Sequence, residues 1–294
     1  MTTGIKWNIS GGLVFFDRII EYNSYLQDFY NVEFNFVGSV FDSVYGMKWN
    51  SGRVLPSHAG ISLEEAIKRV KFYNSMGIGF NFTFSNSLVE EEDLNDKYCN
   101  LLLKECCNEL NGVILNSELL NEYIRNNYPT YKRICSATKN IRTIEEYNRA
   151  CDNYDIVVLS PDFNHDLNFI NEINNKDKLE IIVNEACVNN CPFRNAHYLR
   201  IDKINKNIIN RPFYLTDEEM EKSGCMAMKH GYIKDEANIL GFFEIDKLKE
   251  MGIDKFKLVG REFTWERYFD DLKAFVEQKW IQKILIDGKC RYEF

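Results

Sequence analysis

The stretch 62-SLEEAIKRVKFYNSMGIGFNFTFS-85 contains one helix followed directly by one strand, and it decides the fold class. Ser62 and Glu65 form a capping box, which predicts a helix from Leu63 to Met76. Gly77 stands where a helix C-terminal glycine belongs. The aromatic and apolar run from Ile78 to Ser85 then predicts a strand. A helix that leads into a strand in this way is the repeating unit of a parallel α/β sheet.

The same unit recurs along the whole chain. Eight short runs rich in β-branched and aromatic residues are each followed by a stretch with helical spacing. The predicted strands are Ile5 to Ser10, Val32 to Val40, Ile78 to Ser85, Gly112 to Asn116, Tyr131 to Ala137, Asp155 to Ser160, Leu179 to Ala186 and Lys255 to Gly260. The predicted helices are Phe16 to Tyr30, Leu63 to Met76, Leu94 to Glu109, Glu118 to Asn127, Ile144 to Cys151, Leu167 to Asn174, Ile245 to Met251 and Trp265 to Glu277.

Eight such units predict a (β/α)8 barrel of the TIM type. No linker rich in proline, glycine or serine divides the 294 residues, so we expect residues 1–294 to form one domain. One insertion, at about residues 188–243, interrupts the alternation of strands and helices after strand seven. Long connections of this kind are usually functional.

Charge and composition exclude several classes of partner. The chain has 36 basic and 44 acidic residues and a net charge of −8, without a dense basic block, so nucleic acid is not an expected partner. The sequence contains neither an export signal nor an apolar run of about 20 residues, which predicts a cytoplasmic protein that does not enter a membrane. Nine cysteines without an export signal argue against a disulfide framework.

Three of these cysteines follow strand seven. Cys187 and Cys191 are four residues apart just beyond the strand, and Cys225 lies in the same insertion. Thiolates are soft ligands that favour iron–sulfur clusters, zinc or copper(I), and barrels carry their chemistry on the loops that follow the strands. The alternative is a set of ordinary buried thiols, since cysteine is among the most buried residue types.

The second half of the chain resembles a known family in two places. The first is Asn184-Glu185-Ala186-Cys187 with Cys191-Pro192, and the second runs from Phe243 to Arg261 and ends in the pattern Lys257-x-x-Gly-Arg261. Both resemble the collagenase-like U-class peptidases, whose relatives include the UbiU and UbiV proteins of oxygen-independent ubiquinone hydroxylation.

The resemblance implies a metal centre. Members with this pattern carry a four-cysteine [4Fe–4S] cluster, and the positions that match here are Cys187, Cys191 and Cys225. The fourth ligand stays open between Cys135, His197, His230 and an iron site left open for substrate. Zinc is the competing metal, because three cysteines and one histidine would make a closed structural site.

The predicted strand ends place mainly neutral hydrogen-bonding groups at the barrel mouth. They are Asn8, Ser10, Asn35, Ser39, Asn81, Thr83, Ser85, Asn116, Ser136, Thr138, Ser160, Asp162, Asn184, Glu185, Lys257 and Arg261. Such a lining suits a small polar substrate, with Lys257 or Arg261 holding an anionic group. Glu185 is the expected general acid or base, and a salt bridge to Arg194, Arg261 or Lys257 is the alternative.

Three functions fit this pattern. The first is an iron–sulfur enzyme for oxygen-independent modification of a small polar or biosynthetic substrate, in which Glu185 moves protons and Lys257 or Arg261 binds the substrate. The second is a peptidase or other hydrolase that uses a metal-bound water. The third is a non-catalytic barrel with a structural metal site, acting as a homo-oligomer or with a protein partner.

Overall fold

The computed structural model describes residues 5–52, 60–185, 187, 189–207, 238–261 and 263–277, together with the backbone of two strands at 282–286 and 289–293. Eight parallel strands pair in chain order, and the last pairs with the first, so the sheet closes into a barrel. The strands are β1 (Lys6–Ser10), β2 (Val37–Asp42), β3 (Gly79–Phe84), β4 (Gly112–Leu115), β5 (Lys132–Cys135), β6 (Ile156–Val158), β7 (Leu179–Ile182) and β8 (Lys255–Leu258). The predicted (β/α)8 fold class is confirmed.

Helices surround the barrel and follow the strands. They are α1 (Phe16–Tyr30), α2 (Leu63–Ser75), α3 (Lys97–Glu105), α4 (Glu118–Asn127), α5 (Ile144–Asn153), α6 (Leu167–Glu172), α7 (Arg194–Asn205), α8 (Phe242–Glu250) and α9 (Trp265–Phe275). The N-cap half of the predicted capping box forms at α2, where the Ser62 side chain accepts a hydrogen bond from the Glu65 backbone N–H at 3.1 Å. The Glu65 side chain instead accepts from Arg69 at 2.8 Å. Gly77 ends this unit with a φ of 75°, a conformation that glycine adopts without steric cost.

Two apolar cores follow from the alternation of side chains along each strand. One set of strand residues faces the helices and forms the larger core, in which Phe80, Phe82 and Phe84 of β3 are fully or almost fully buried. The other set fills the barrel. Its apolar members are Phe41, Ile114, Ile134, Val158, Ile182 and Val259.

The lower part of the barrel interior is polar. Asn8 donates to Glu180 at 2.8 Å, and Asn81 donates to Asn8 at 3.3 Å and to Ser39 at 3.2 Å. Lys257 lies 3.3 Å from Glu180, so the interior also contains a buried ion pair. Asn8, Ser39 and Asn81 therefore belong to this network.

The start of strand two was predicted too early. The sequence indicated Val32 to Val40, whereas β2 begins at Val37. Asn31 ends α1 in the left-handed conformation, and the Val32 N–H bonds back to the Gln27 carbonyl. This helix-ending turn uses the residues that the apolar pattern assigned to a strand, and it places Asn35 away from the mouth, on the Met76 carbonyl at 2.7 Å.

Two further elements were not predicted. The insertion after β7 contains the helix α7, and an antiparallel pair of strands, β9 (Gln282–Ile286) and β10 (Lys289–Glu293), follows the barrel. Within the described residues, no helix combines the length and the apolar character that crossing a membrane requires.

Candidate functional site at the barrel mouth

A cavity of about 70 Å³, counted as the space open to the centres of water molecules, lies at the carboxyl ends of the strands. Barrel enzymes carry their active sites at this end. The described lining residues are Ser10, Phe41, Gly52, Thr83, Ser85, Ile114, Ser136, Ala137, Thr138, Val158, Ile182, Glu185, Tyr198, Lys257, Val259, Gly260 and Arg261.

The lining of the cavity combines polar and apolar groups. Ser10 of β1 and Thr83 and Ser85 at the end of β3 are at least nine-tenths buried, and within the described part of the chain their hydroxyl oxygens have no hydrogen-bond partner. A buried polar group without a partner costs about 1–3 kcal/mol. Apolar side chains, among them Ile114 and Val158, line the same cavity. The cavity therefore suits a small ligand that has both polar and apolar parts.

Lys257 enters the cavity from β8. Its ammonium nitrogen lies 3.3 Å from Glu180 and 4.1 Å from the centre of the Phe41 ring. Burial lowers the pKa of Lys257; Glu180 opposes this effect and the positive charge of Arg261 adds to it. Lys257 is thus a buried cation whose charge depends on one carboxylate.

Arg261 lies at the cavity edge and is fixed by the end of β2. It donates to the Asp42 carboxylate at 3.2 Å and to the Ser43 hydroxyl at 3.1 Å. Asp42 also accepts the Leu13 backbone N–H at 2.9 Å. The structure therefore places Lys257 and Arg261 on the same cavity, each with a buried carboxylate beside it.

Glu185 links the cavity to the cysteines. Its side chain is 3% exposed and lines the cavity, and its Oε1 accepts the Cys187 backbone N–H at 2.9 Å. On the other side of that residue, Asn238 donates to the Cys187 carbonyl at 2.8 Å. The backbone at Cys187 is therefore fixed from both sides.

Cys187 and Cys191 form a pair of free thiols in contact. A hydrogen bond from the Cys187 side chain lowers the pKa of Cys191 to about 6, with further lowering by the Phe193 backbone N–H and the Arg194 charge, against the effect of burial. The lowered pKa favours the thiolate, which is the form that binds metal.

Asp162 holds the turn that carries this pair. Its buried carboxylate accepts the Asn190 backbone N–H at 2.8 Å and an Arg194 N–H at 2.6 Å, and it also pairs with Arg142. Sequence reasoning placed Asp162 at the mouth, but its role as the anchor of the cysteine turn depends on contacts across the fold.

Helix α7 crosses the mouth with a polar face inward. Arg194 bonds to Asp162 at the end of β6, Tyr198 lines the cavity, and Asp202 accepts the Ser87 backbone N–H at 3.0 Å and a bond from the Ser51 hydroxyl. Burial raises the pKa of Asp202 above its ordinary value.

Just past the end of α7, Lys206 pairs with Asp93 at 2.8 Å and Glu90 at 2.9 Å. Tyr198 and Asp202 are site residues that sequence reasoning missed. The signal in the sequence was the four-residue spacing of Arg194, Tyr198, Asp202 and Lys206, which places these side chains on one face of a helix.

The remaining candidate ligands are Cys135, His197, Cys225 and His230. Cys225 and His230 fall outside the described residues. Cys135 faces the layer between barrel and helices, where burial raises its pKa to about 12. His197 is buried on α7. Among the residues that the structure describes, no group of three or more histidine, cysteine or acidic side chains can hold a metal ion.

The predicted mouth residues lie in different places. Ser10, Thr83, Ser85, Ser136, Thr138, Glu185, Lys257 and Arg261 line the cavity. The residues of the polar network lie below it. Asn184 instead joins β7 to β8 and α9, because it donates to the Val259 carbonyl at 2.8 Å and to Asp271 at 2.7 Å.

One comparison with known proteins gave a match. The chain is similar to the solved structure of the U32 peptidase Mk0906, with a TM-score of 0.57 and 13% identity over 88% of this chain and 95% of that one. The two share a fold. No family model and no curated protein matches the sequence.

Proposed function

We propose that the protein is an iron–sulfur barrel enzyme that modifies a small polar or anionic substrate without oxygen. The observation that carries the proposal is the contact between the Cys187 and Cys191 thiols beside a mouth cavity that Glu185 lines. The likeness to a U32 peptidase supports the fold on which this arrangement rests.

The donor set fits a soft metal centre. Two sulfurs lie in contact, and the lowered pKa of Cys191 favours the thiolate that a cluster requires. Cys187 and Cys191 would hold the cluster together with Cys225, and its bound form would supply one-electron chemistry or a Lewis-acidic iron. Zinc on the same sulfurs is the alternative metal.

The chain's own groups have distinct tasks in this proposal. The hydroxyls of Ser10, Thr83 and Ser85 bind the polar end of the substrate. Lys257 or Arg261 neutralises an anionic group. Glu185, buried at the cavity and next to Cys187, moves the proton. Tyr198 covers the cavity from α7 and excludes water.

The test is the metal content of anaerobically purified variants. Cys187→Ser is expected to lose iron, sulfide and the absorption near 400 nm that such clusters give, while the exposed Cys107→Ser retains them. Retention of the cluster in Cys187→Ser would contradict the proposal. So would a colourless wild-type protein with stoichiometric zinc.

A metal-dependent hydrolase is the second candidate, and the fold shared with a U32 peptidase favours it. Here Glu185 would act as the base toward a water molecule. Peptide cleavage by zinc-loaded, iron-free protein, abolished in Glu185→Gln, would favour this function over the first.

A further inference from the structure

The proposed metal chemistry uses the Lys257 ammonium only as a charge. Its side chain is 6% exposed and that of Glu180 is 3% exposed, so bulk water reaches neither group of the pair. Their separation of 3.3 Å is longer than the roughly 2.7–2.9 Å of a strong charge-assisted hydrogen bond. The pair is therefore buried, but its two charged groups are farther apart than in a strong charge-assisted hydrogen bond.

The groups around this amine come from several strands. Glu180 of β7 is the facing carboxylate, Arg261 beyond β8 is the facing cation, and Phe41 of β2 places its ring under the nitrogen. Asn8 of β1 holds the other carboxylate oxygen of Glu180 at 2.8 Å. A desolvated lysine next to another cationic group is the kind of amine that reacts with carbonyl carbons.

We propose that Lys257 forms an imine with a short-chain aldehyde, ketone or 2-oxo acid bound in the mouth cavity. The hydroxyls of Ser10, Thr83 and Ser85, which have no hydrogen-bond partner among the described residues, face the same cavity and are placed to bind the carbonyl oxygen. The apolar side chains of the lining receive the carbon chain. This activity goes beyond the metal-site proposal, because it needs no metal.

The step balances within the residues present. The Lys257 ammonium passes one proton to Glu180, and the nitrogen lone pair forms a C–N bond to the carbonyl carbon. The carbonyl oxygen takes a second proton from the same nitrogen and becomes a hydroxyl group. Glu180 then returns its proton to that hydroxyl, the C–O bond breaks, and water leaves. The product iminium carries the same charge as the original ammonium, so the buried pair with Glu180 is preserved.

The test is reductive trapping followed by peptide mapping. The wild-type protein is incubated at pH 7 with pyruvate or with propanal and with cyanoborohydride, and each lysine is scored for the reduced adduct by mass spectrometry. Lys255 is the matched control, because it lies on the same strand and is 34% exposed beside Asp254. Burial lowers the pKa of Lys257, which leaves more of its amine in the neutral, reactive form.

We expect an adduct on Lys257 that exceeds that on Lys255, and its loss in Lys257→Arg, which keeps the charge beside Glu180. An adduct on Lys257 no greater than that on Lys255 overturns the proposal and leaves a structural ion pair. The wild-type map alone decides this, so the result does not depend on the folding of the variant. It is also independent of iron content, so that either proposal can fail without the other.

Discussion

Helices α2 and α7 both pack on the barrel, but different forces hold them. The buried residues of α2 are Ala66, Val70 and Tyr73, whereas those of α7 are Arg194, His197, Ile201 and Asp202. Apolar burial stabilises α2 at about 25 cal/mol per Å² without directional constraint. The polar face of α7 depends on a few matched partners across the mouth, and removing one partner leaves a buried charge. The first helix supports the fold, and the second shapes the site.

The largest expected effect lies in the apolar core. Phe82→Ala on β3 removes a ring that is 1% exposed and packs against Phe80 and Phe84. We expect the free energy of unfolding to fall by about 3–5 kcal/mol, measured by denaturant titration. Phe72→Ala on α2, where the ring is 47% exposed, is the control and should cost far less. Equal losses would contradict the placement of Phe82 in the larger core.

The next effect is local to the cysteine turn. Asp162→Ala removes the carboxylate that pairs with the buried Arg194 guanidinium. We expect the free energy that stabilises the packing of α7 on the barrel to fall by about 3 kcal/mol. We expect amide hydrogen exchange to accelerate in residues 189–205 and to stay slow in α2. Uniform acceleration along the chain would show that α7 is part of the global unfolding unit.

A smaller effect concerns pH. The pKa of Asp202 is raised in the folded protein, so the folded state binds its proton more readily than the unfolded chain. The docking of α7 is therefore strongest below the ordinary aspartate pKa and weakens as the pH rises through the raised value.

Hydrogen exchange in α7 should follow this trend, and Asp202→Asn should remove it while keeping a side chain that can bond Ser51 and Ser87. Identical pH profiles for the wild-type protein and Asp202→Asn would disprove the assignment.

The smallest effect is expected on the solvent face of α2. Lys68 and Glu64 form an ion pair at 3.2 Å with both side chains mostly exposed. Lys68→Ala should change the free energy of unfolding by less than about 0.5 kcal/mol. A loss comparable to that of Asp162→Ala would remove the distinction between exposed and buried pairs.

The barrel was predictable because apolar periodicity and capping are local properties of the sequence. Ser62, Glu65 and Gly77 mark the ends of α2, and the run after Gly77 becomes β3. The same reasoning failed at β2, where the turn at Asn31 replaced a strand start, and at α7, whose buried face carries charges. Helix patterns that rest on apolar residues do not detect a helix held by charges.

The site was predictable in part. Glu185, Lys257 and Arg261 were placed at the mouth from the strand ends, and the cavity contains all three. Glu180 and Asp42, the partners of Lys257 and Arg261, come from β7 and β2. Asp162, the partner of Arg194, lies just beyond β6. These contacts exist only in the closed barrel, because they join residues far apart in the chain.

The most direct test of the metal centre is anomalous X-ray scattering, at the iron and zinc absorption edges, from crystals of anaerobically purified protein. We expect an iron signal bonded to the sulfurs of Cys187 and Cys191, on the side of the cavity that Glu185 lines. A zinc signal at these sulfurs, or two metal-free thiols in fully occupied crystals, would contradict the iron–sulfur assignment.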